Sequence, residues 1–93
     1  MALTKDSAVE AAKRDLATRL GVDEEQVNQR FVHEKEFPDM SLGAPENGEM
    51  SAQMISSGWV IELEAGGRTY EYRADKYHLR LHNFNGKNHV IKV

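Results

Sequence analysis

The sequence contains no cysteine, so no disulfide staples it and no thiolate is on hand as nucleophile or metal ligand. This fits a reducing compartment without requiring one. Proline occurs only at Pro38 and Pro45, which excludes a proline-rich linker. Lys and Arg form no run: twelve basic residues stand against fifteen acidic ones, for a formal net charge of −3. Nucleic-acid binding needs a basic stripe to neutralise phosphates, so no nucleic acid is expected as a ligand. Long apolar runs are also missing. The longest uncharged stretch, Met50 to Ile61, is broken by small polar residues and Gly58 and is too short to cross a bilayer. The opening residues, Met1 to Asp6, lead into a charged segment without the apolar stretch of a secretory leader. As written, the chain is expected in the cytoplasm; excised from a longer precursor, it would sit in the cell envelope or be secreted.

What is present describes one folded unit. A chain of 93 residues buries roughly 60–65% of its unfolded surface and fills one core, so residues 1–93 are read as a single domain. With 40% hydrophobic and 29% charged residues, it has enough apolar side chains to fold without a partner.

Ser7-Ala8-Val9-Glu10 has capping-box spacing, which predicts a helix start. Val9, Ala12, Leu16 and Leu20 then recur on one helical stripe, and Gly21 suits the left-handed stop. Asp23-Glu24-Glu25-Gln26 repeats the capping chemistry over one turn. Val27 to Phe37 reads as a strand in which Val27, Phe31 and Phe37 share one parity, with a bulge or exposed end expected near His33 and Lys35. Gly66-Gly67 supplies the positive φ angles of a two-residue hairpin turn between Trp59–Ala65 and Arg68–Arg73. That register sets Leu63 opposite Tyr70, Ile61 opposite Tyr72 and Glu62 opposite Glu71, with Arg73 placed to screen the carboxylates. Asn85-Gly86 predicts a second hairpin, between a strand containing Leu79 and Leu81 and the tail Lys87 to Val93.

The chemistry-bearing candidates are few. With Asn85-Gly86 as the turn, His82 falls opposite His89 and His78 shares their face, a metal site of three imidazoles as the alternative function. No cofactor is expected. The residues supply no serine nucleophile elbow and no paired-histidine metal helix, so the chain is not expected to be an enzyme. Gly66-Gly67 is no phosphate loop, since no helix follows it.

Pro38 to Ala52 resists a purely structural reading, because loops this long are uncommon in compact domains. Leu42-Gly43-Ala44-Pro45 is placed to fold it back, with Leu42 as anchor and Met50 as a second residue capping the core. The other reading is a contact loop for a protein or peptide partner. Its candidate residues are Asp39, Met40, Leu42, Gly43, Glu46, Glu49 and Met50, with Asp39, Met40, Glu46 and Glu49 as the tips free to face the partner. On loop-closure entropy alone, a shorter Gly/Ser connection would leave the domain folded.

The run from Phe37-Pro38-Asp39-Met40-Ser41-Leu42-Gly43-Ala44-Pro45 to Gly48, with Gly58 to Tyr72 and upstream Ala11 to Val22, resembles a group of small bacterial domains. In that group the loop reads Trp-Pro-Asp, then Leu-Gly-Cys-Pro, and many members are similar to secreted proteins or lipoproteins. This chain departs from the pattern with Phe37 for the tryptophan and Ala44 for the cysteine. The disulfide that the resemblance implies is therefore missing, which places the extracellular location in question. A helix followed by antiparallel strands also resembles PepSY-type domains, which implies binding or peptidase inhibition as the activity.

The expected fold is α+β: one amino-terminal helix packed on a four- or five-stranded antiparallel sheet, in two layers. Its expected core is Val9, Leu16, Leu20, Phe31, Trp59, Ile61, Leu63, Tyr70, Tyr72 and Leu79. The expected function is a non-enzymatic binding module, possible as a peptidase inhibitor, acting through residues 38–52.

Overall fold

The computed structural model describes residues 2–92. Helix α1, Lys5–Leu20, leads through a single 3-10 turn, Glu24–Gln26, into five strands. These are β1 (Asn28–Phe37), β2 (Ser56–Ala65), β3 (Arg68–Ala74), β4 (Leu79–Phe84) and β5 (Lys87–Ile91). They form one antiparallel sheet in chain order, β1-β2-β3-β4-β5, with the helix packed against one face. The fold is α+β, as the hairpin and helix signals imply.

The helix starts one turn earlier than the Ser7 capping box would have it. Thr4 is the cap: its hydroxyl accepts the Ser7 amide at 3.1 Å while the Ser7 hydroxyl accepts the Thr4 amide at 2.8 Å. Both spacings are competent. Leu3 decides between them, since its amide is held by the Lys76 carbonyl at 2.8 Å and its side chain packs on the core, which fixes the chain just before Thr4. Gly21 ends the helix at φ 69°, as expected.

Ala8, Ala12 and Leu16 of α1 pack on Ile61, Leu63, Tyr72 and Leu81 of the sheet. Small alanines let the helix lie close to the large strand residues. The Tyr72 hydroxyl reaches through this layer and donates to Asp15 at 2.7 Å, so its buried polar end is satisfied. The β2–β3 register is the expected one: Ile61 faces Tyr72, Leu63 faces Tyr70, and Glu62 faces Glu71. Each carboxylate of that like-charged pair has its own cation, Arg30 for Glu62 at 3.1 Å and Arg73 for Glu71 at 2.6 Å.

Of the expected core residues, Phe31 lies elsewhere. It is 41% exposed, because the strand bulge falls at Arg30 rather than near His33 and Lys35. Gln29 pairs with Leu63 and Phe31 with Glu62, which leaves Arg30 as the extra residue. One inserted residue reverses the parity beyond it. Val27 therefore packs under the helix with Val32, while Phe31, His33 and Phe37 fall on the opposite face. Leu20, Trp59 and Tyr70 line the rim of the core, partly buried.

That opposite face carries a second apolar cluster of Phe37, Leu42 and Val60. The connection from β1 to β2 lies over it, on the face of the two-layer fold that the helix leaves open.

Candidate functional site

Residues 38–55 leave β1, cross the outer face of the sheet as far as β5, and return to begin β2. Local chemistry sets the first bend. The Asp39 carboxylate accepts the Ser41 hydroxyl at 2.6 Å, the Ser41 amide at 3.0 Å and the Gly43 amide at 3.2 Å. These bonds hold the Asp39 carboxyl below its ordinary value. Leu42 and Gly43 follow at φ 60° and 67°, and this left-handed pair turns the Leu42 side chain inward, where it is fully buried. The positive φ favours glycine at Gly43, and a Cβ there would lie 2.7 Å from the Arg73 guanidinium and displace that side chain.

Sheet side chains then clamp the loop. Arg73 donates to the Leu42 carbonyl at 3.0 Å and Arg80 to the Ala44 carbonyl at 3.1 Å. Arg80 also forms a bidentate pair with Glu49, at 2.5 and 2.7 Å. The guanidinium holds the Glu49 carboxyl down to about 2. Farther along, the Asn88 side chain donates to the Pro45 carbonyl at 2.8 Å and Glu46 accepts the Val90 amide at 3.0 Å.

The seven contact-loop candidates therefore separate. Leu42 and Gly43 form the bend, as anchors should. Asp39, Glu46 and Glu49, expected as free tips, are engaged inside the chain because each finds an amide or a guanidinium within reach. Met50, a cap on the core in the connector reading and a contact residue in the other, is 96% exposed, which removes the cap role. Met40 is half-buried at the end of the loop, where its amide bonds the Ala52 carbonyl at 3.0 Å.

Exposed apolar side chains gather where the loop returns to the sheet. Met54, Ile55 and Tyr77 are 62%, 71% and 68% exposed. Together with Met40 and the half-buried Trp59 they border one open recess. Trp59 also floors a neighbouring recess of about 350 Å³ beside β1, lined by Glu34, Lys35, Glu36, Ser57 and Gly58. Sequence reasoning placed Trp59 in the core by its parity with Ile61 and Leu63. It did not bring Met54, Ile55 and Tyr77 together, since they lie in two segments far apart in the chain. The nearest signal was the run of methionines.

The histidines do not converge. Asn85-Gly86 is the turn, with φ 52° and 81°, and Phe84 faces Lys87. Asn83, however, adopts φ 55° and gives its amide to the Asn88 side chain at 2.8 Å, which inserts an irregularity in β4. His89 consequently faces Leu81, on the helix side, while His82 faces Glu71 on the other. His78 lies beside Asp75, its Nδ1 at 3.1 Å from the carboxylate, and burial lowers its pKa. Among the described residues, no three His, Asp or Glu side chains are grouped to hold a metal ion.

The profile of a domain of unknown function, DUF8738, matches residues 9–82. The chain belongs to the DUF8738 family. The DUF8738 match takes in the helix from Val9 onward, the whole β1–β2 connection, Trp59 and Tyr77, and stops within β4. Comparison with curated proteins and with solved structures gave no match.

Proposed function

We propose that this DUF8738 domain is a non-enzymatic binding module for a protein or peptide partner. The contact surface is the end of the sheet where the loop returns, built from Met40, Met54, Ile55, Trp59 and Tyr77. The observation that carries the reading is the exposure of Met54, Ile55 and Tyr77 side by side around one recess. Scattered exposed apolar residues are ordinary, whereas a contiguous group marks an interaction site. Methionine and tyrosine suit it, the one adaptable and the other amphipathic.

The proposed surface is the returning end of the loop and not the middle of residues 38–52, because the middle is bound to Arg73, Arg80 and Asn88. The resemblance of the helix and sheet to PepSY-type domains supports a binding role of peptidase-inhibitor type. Ala44, where that loop group has cysteine, is fully buried, and the arginine clamps serve here in place of a disulfide.

The test is affinity capture from the source organism, run in parallel with a Met54→Ser/Ile55→Ser variant. Both side chains are exposed, so melting should be unchanged. Truncating interface anchors costs upwards of about 1 kcal/mol each, and the expected result is a defined partner depleted about tenfold or more by the variant. A partner retained equally by both proteins removes this surface.

A further inference from the structure

The two edges of the sheet differ. A strand edge is a row of unpaired backbone donors and acceptors that invites another strand. At β5 the loop takes up part of that edge: Glu46 accepts the Val90 amide, and the Asn88 side chain ties the strand to the Pro45 carbonyl. At β1, ten residues long, the hydrogen bonds made by loops, turns and side chains among the described residues leave the backbone alone. Beyond the bulge at Arg30, from Phe31 to Glu36, its outward side makes none of those bonds.

The surroundings of β1 say what would fit there. On the helix side of the sheet, the half-buried Trp59 indole lies in a recess with Glu34 and Glu36. An aromatic face beside two carboxylates is the chemistry that holds a guanidinium or an ammonium. Lys35 does not neutralise it, because its side chain falls on the opposite face, with the ammonium 5.9 Å from the Phe37 ring centroid. On that opposite face, exposed Phe31 stacks on His33 with centroids 5.1 Å apart, a shelf for an apolar side chain. A second copy of the chain is a poor occupant of the recess end. Antiparallel pairing centred on Lys35 would set Lys35 against itself and Glu34 against Glu36 of the other copy.

We infer that β1 accepts an extended basic peptide as a sixth strand, with an Arg or Lys side chain seated over Trp59 between Glu34 and Glu36. The inference rests on the partner-binding reading above and narrows it to a class of ligand. Backbone pairing supplies affinity without sequence preference, and alternation of side chains between recess and shelf supplies the selection. The preferred ligand reads apolar-basic-apolar.

The experiment titrates isotope-labelled domain with the blocked peptide acetyl-Thr-Val-Arg-Val-Thr-Val-amide, and with the same peptide carrying Glu in place of Arg. The expected result is movement of the β1 amides and the Trp59 indole signal, with slowed amide exchange along β1. Binding should weaken about tenfold or more for the Glu peptide, and likewise for the Arg peptide on a Glu34→Gln/Glu36→Gln domain, because a charge-assisted pair is lost. Those glutamates are exposed, so the variant should melt as the parent does. A peptide N-methylated on alternate residues should not bind. Unmoved β1 amides at millimolar Arg peptide, or equal binding of the Arg and Glu peptides, overturns the inference. If the shifts are confined to Met54, Ile55 and Tyr77, strand addition fails while the partner-binding reading stands. A dimer in sedimentation with β1 protected in the absence of peptide assigns the edge to a second copy and also overturns it.

Discussion

Arg80 shows how a residue's role depends on what folds over it. It alternates with Leu79 and Leu81 along β4, which in the sequence marks it as a solvent-facing residue, yet only 5% of it is exposed. A buried guanidinium is tolerable only when paired and hydrogen-bonded; Glu49 and the Ala44 carbonyl take its two terminal nitrogens, while its Nε is buried without a partner. The pairing has a pH signature. The Glu49 carboxyl is held at about 2, against an ordinary value of 4.5, so the unfolded chain takes up this proton more readily than the folded one. The ion pair therefore stabilises the fold above pH 4.5, and that contribution drains away as pH falls towards 2. In denaturant melts at stepped pH, the midpoint should decline through this window, and Glu49→Gln should flatten the decline. The part due to Asp39, also lowered, should remain in the variant.

At the scale of elements, the β1–β2 connection is a structural layer. Chain entropy alone says that shortening it costs little, ~0.6 kcal/mol for each twofold change in length. Packing says otherwise. Leu42 shares a buried cluster with Phe37, 1% exposed, and Val60, 5% exposed, and Arg73 and Arg80 hold carbonyls of the same loop. Replacing residues 39–54 with a short Gly/Ser turn removes the buried Leu42 outright, and deleting such a side chain costs ~2–5 kcal/mol. For a chain of this size, ~2 kcal/mol corresponds to a fall of roughly 10 °C in melting temperature. A calorimetric scan of the shortened protein should show at least that loss. An unchanged Tm would mean that the outer layer adds nothing to stability.

Across the whole molecule, the loop makes a symmetric sheet asymmetric. A five-stranded sheet in chain order has two equivalent edges by topology, and the loop reaches only one of them. The Val90 amide, bonded to Glu46 at 3.0 Å, should exchange slowly with solvent deuterium even though it lies on an edge strand. In a Glu46→Ala variant its exchange should become fast, and in both proteins alternate amides of β1 should exchange fast. A Val90 amide that exchanges as quickly as the free edge of β1 would show that the loop does not cover β5 in solution.

Features that depend on neighbours in the chain were legible in the amino-acid order. The helix stripe from Val9 to Leu20, the Gly66-Gly67 and Asn85-Gly86 turns, and the Ile61–Tyr72 register follow from periodicity and backbone preference, and the α+β class follows from them. Leu42 and Gly43 as loop anchors were legible for the same reason. Three decisions were made only in the folded chain. The bulge at Arg30 reversed the faces of β1, the irregularity at Asn83 parted His82 from His89, and the loop settled on Arg73 and Arg80. In each, a one-residue shift or a long-range hydrogen bond chose between faces that local sequence leaves equal in energy. That is why the apolar group of Met54, Ile55 and Tyr77, assembled from separate segments, came into view only with the tertiary structure.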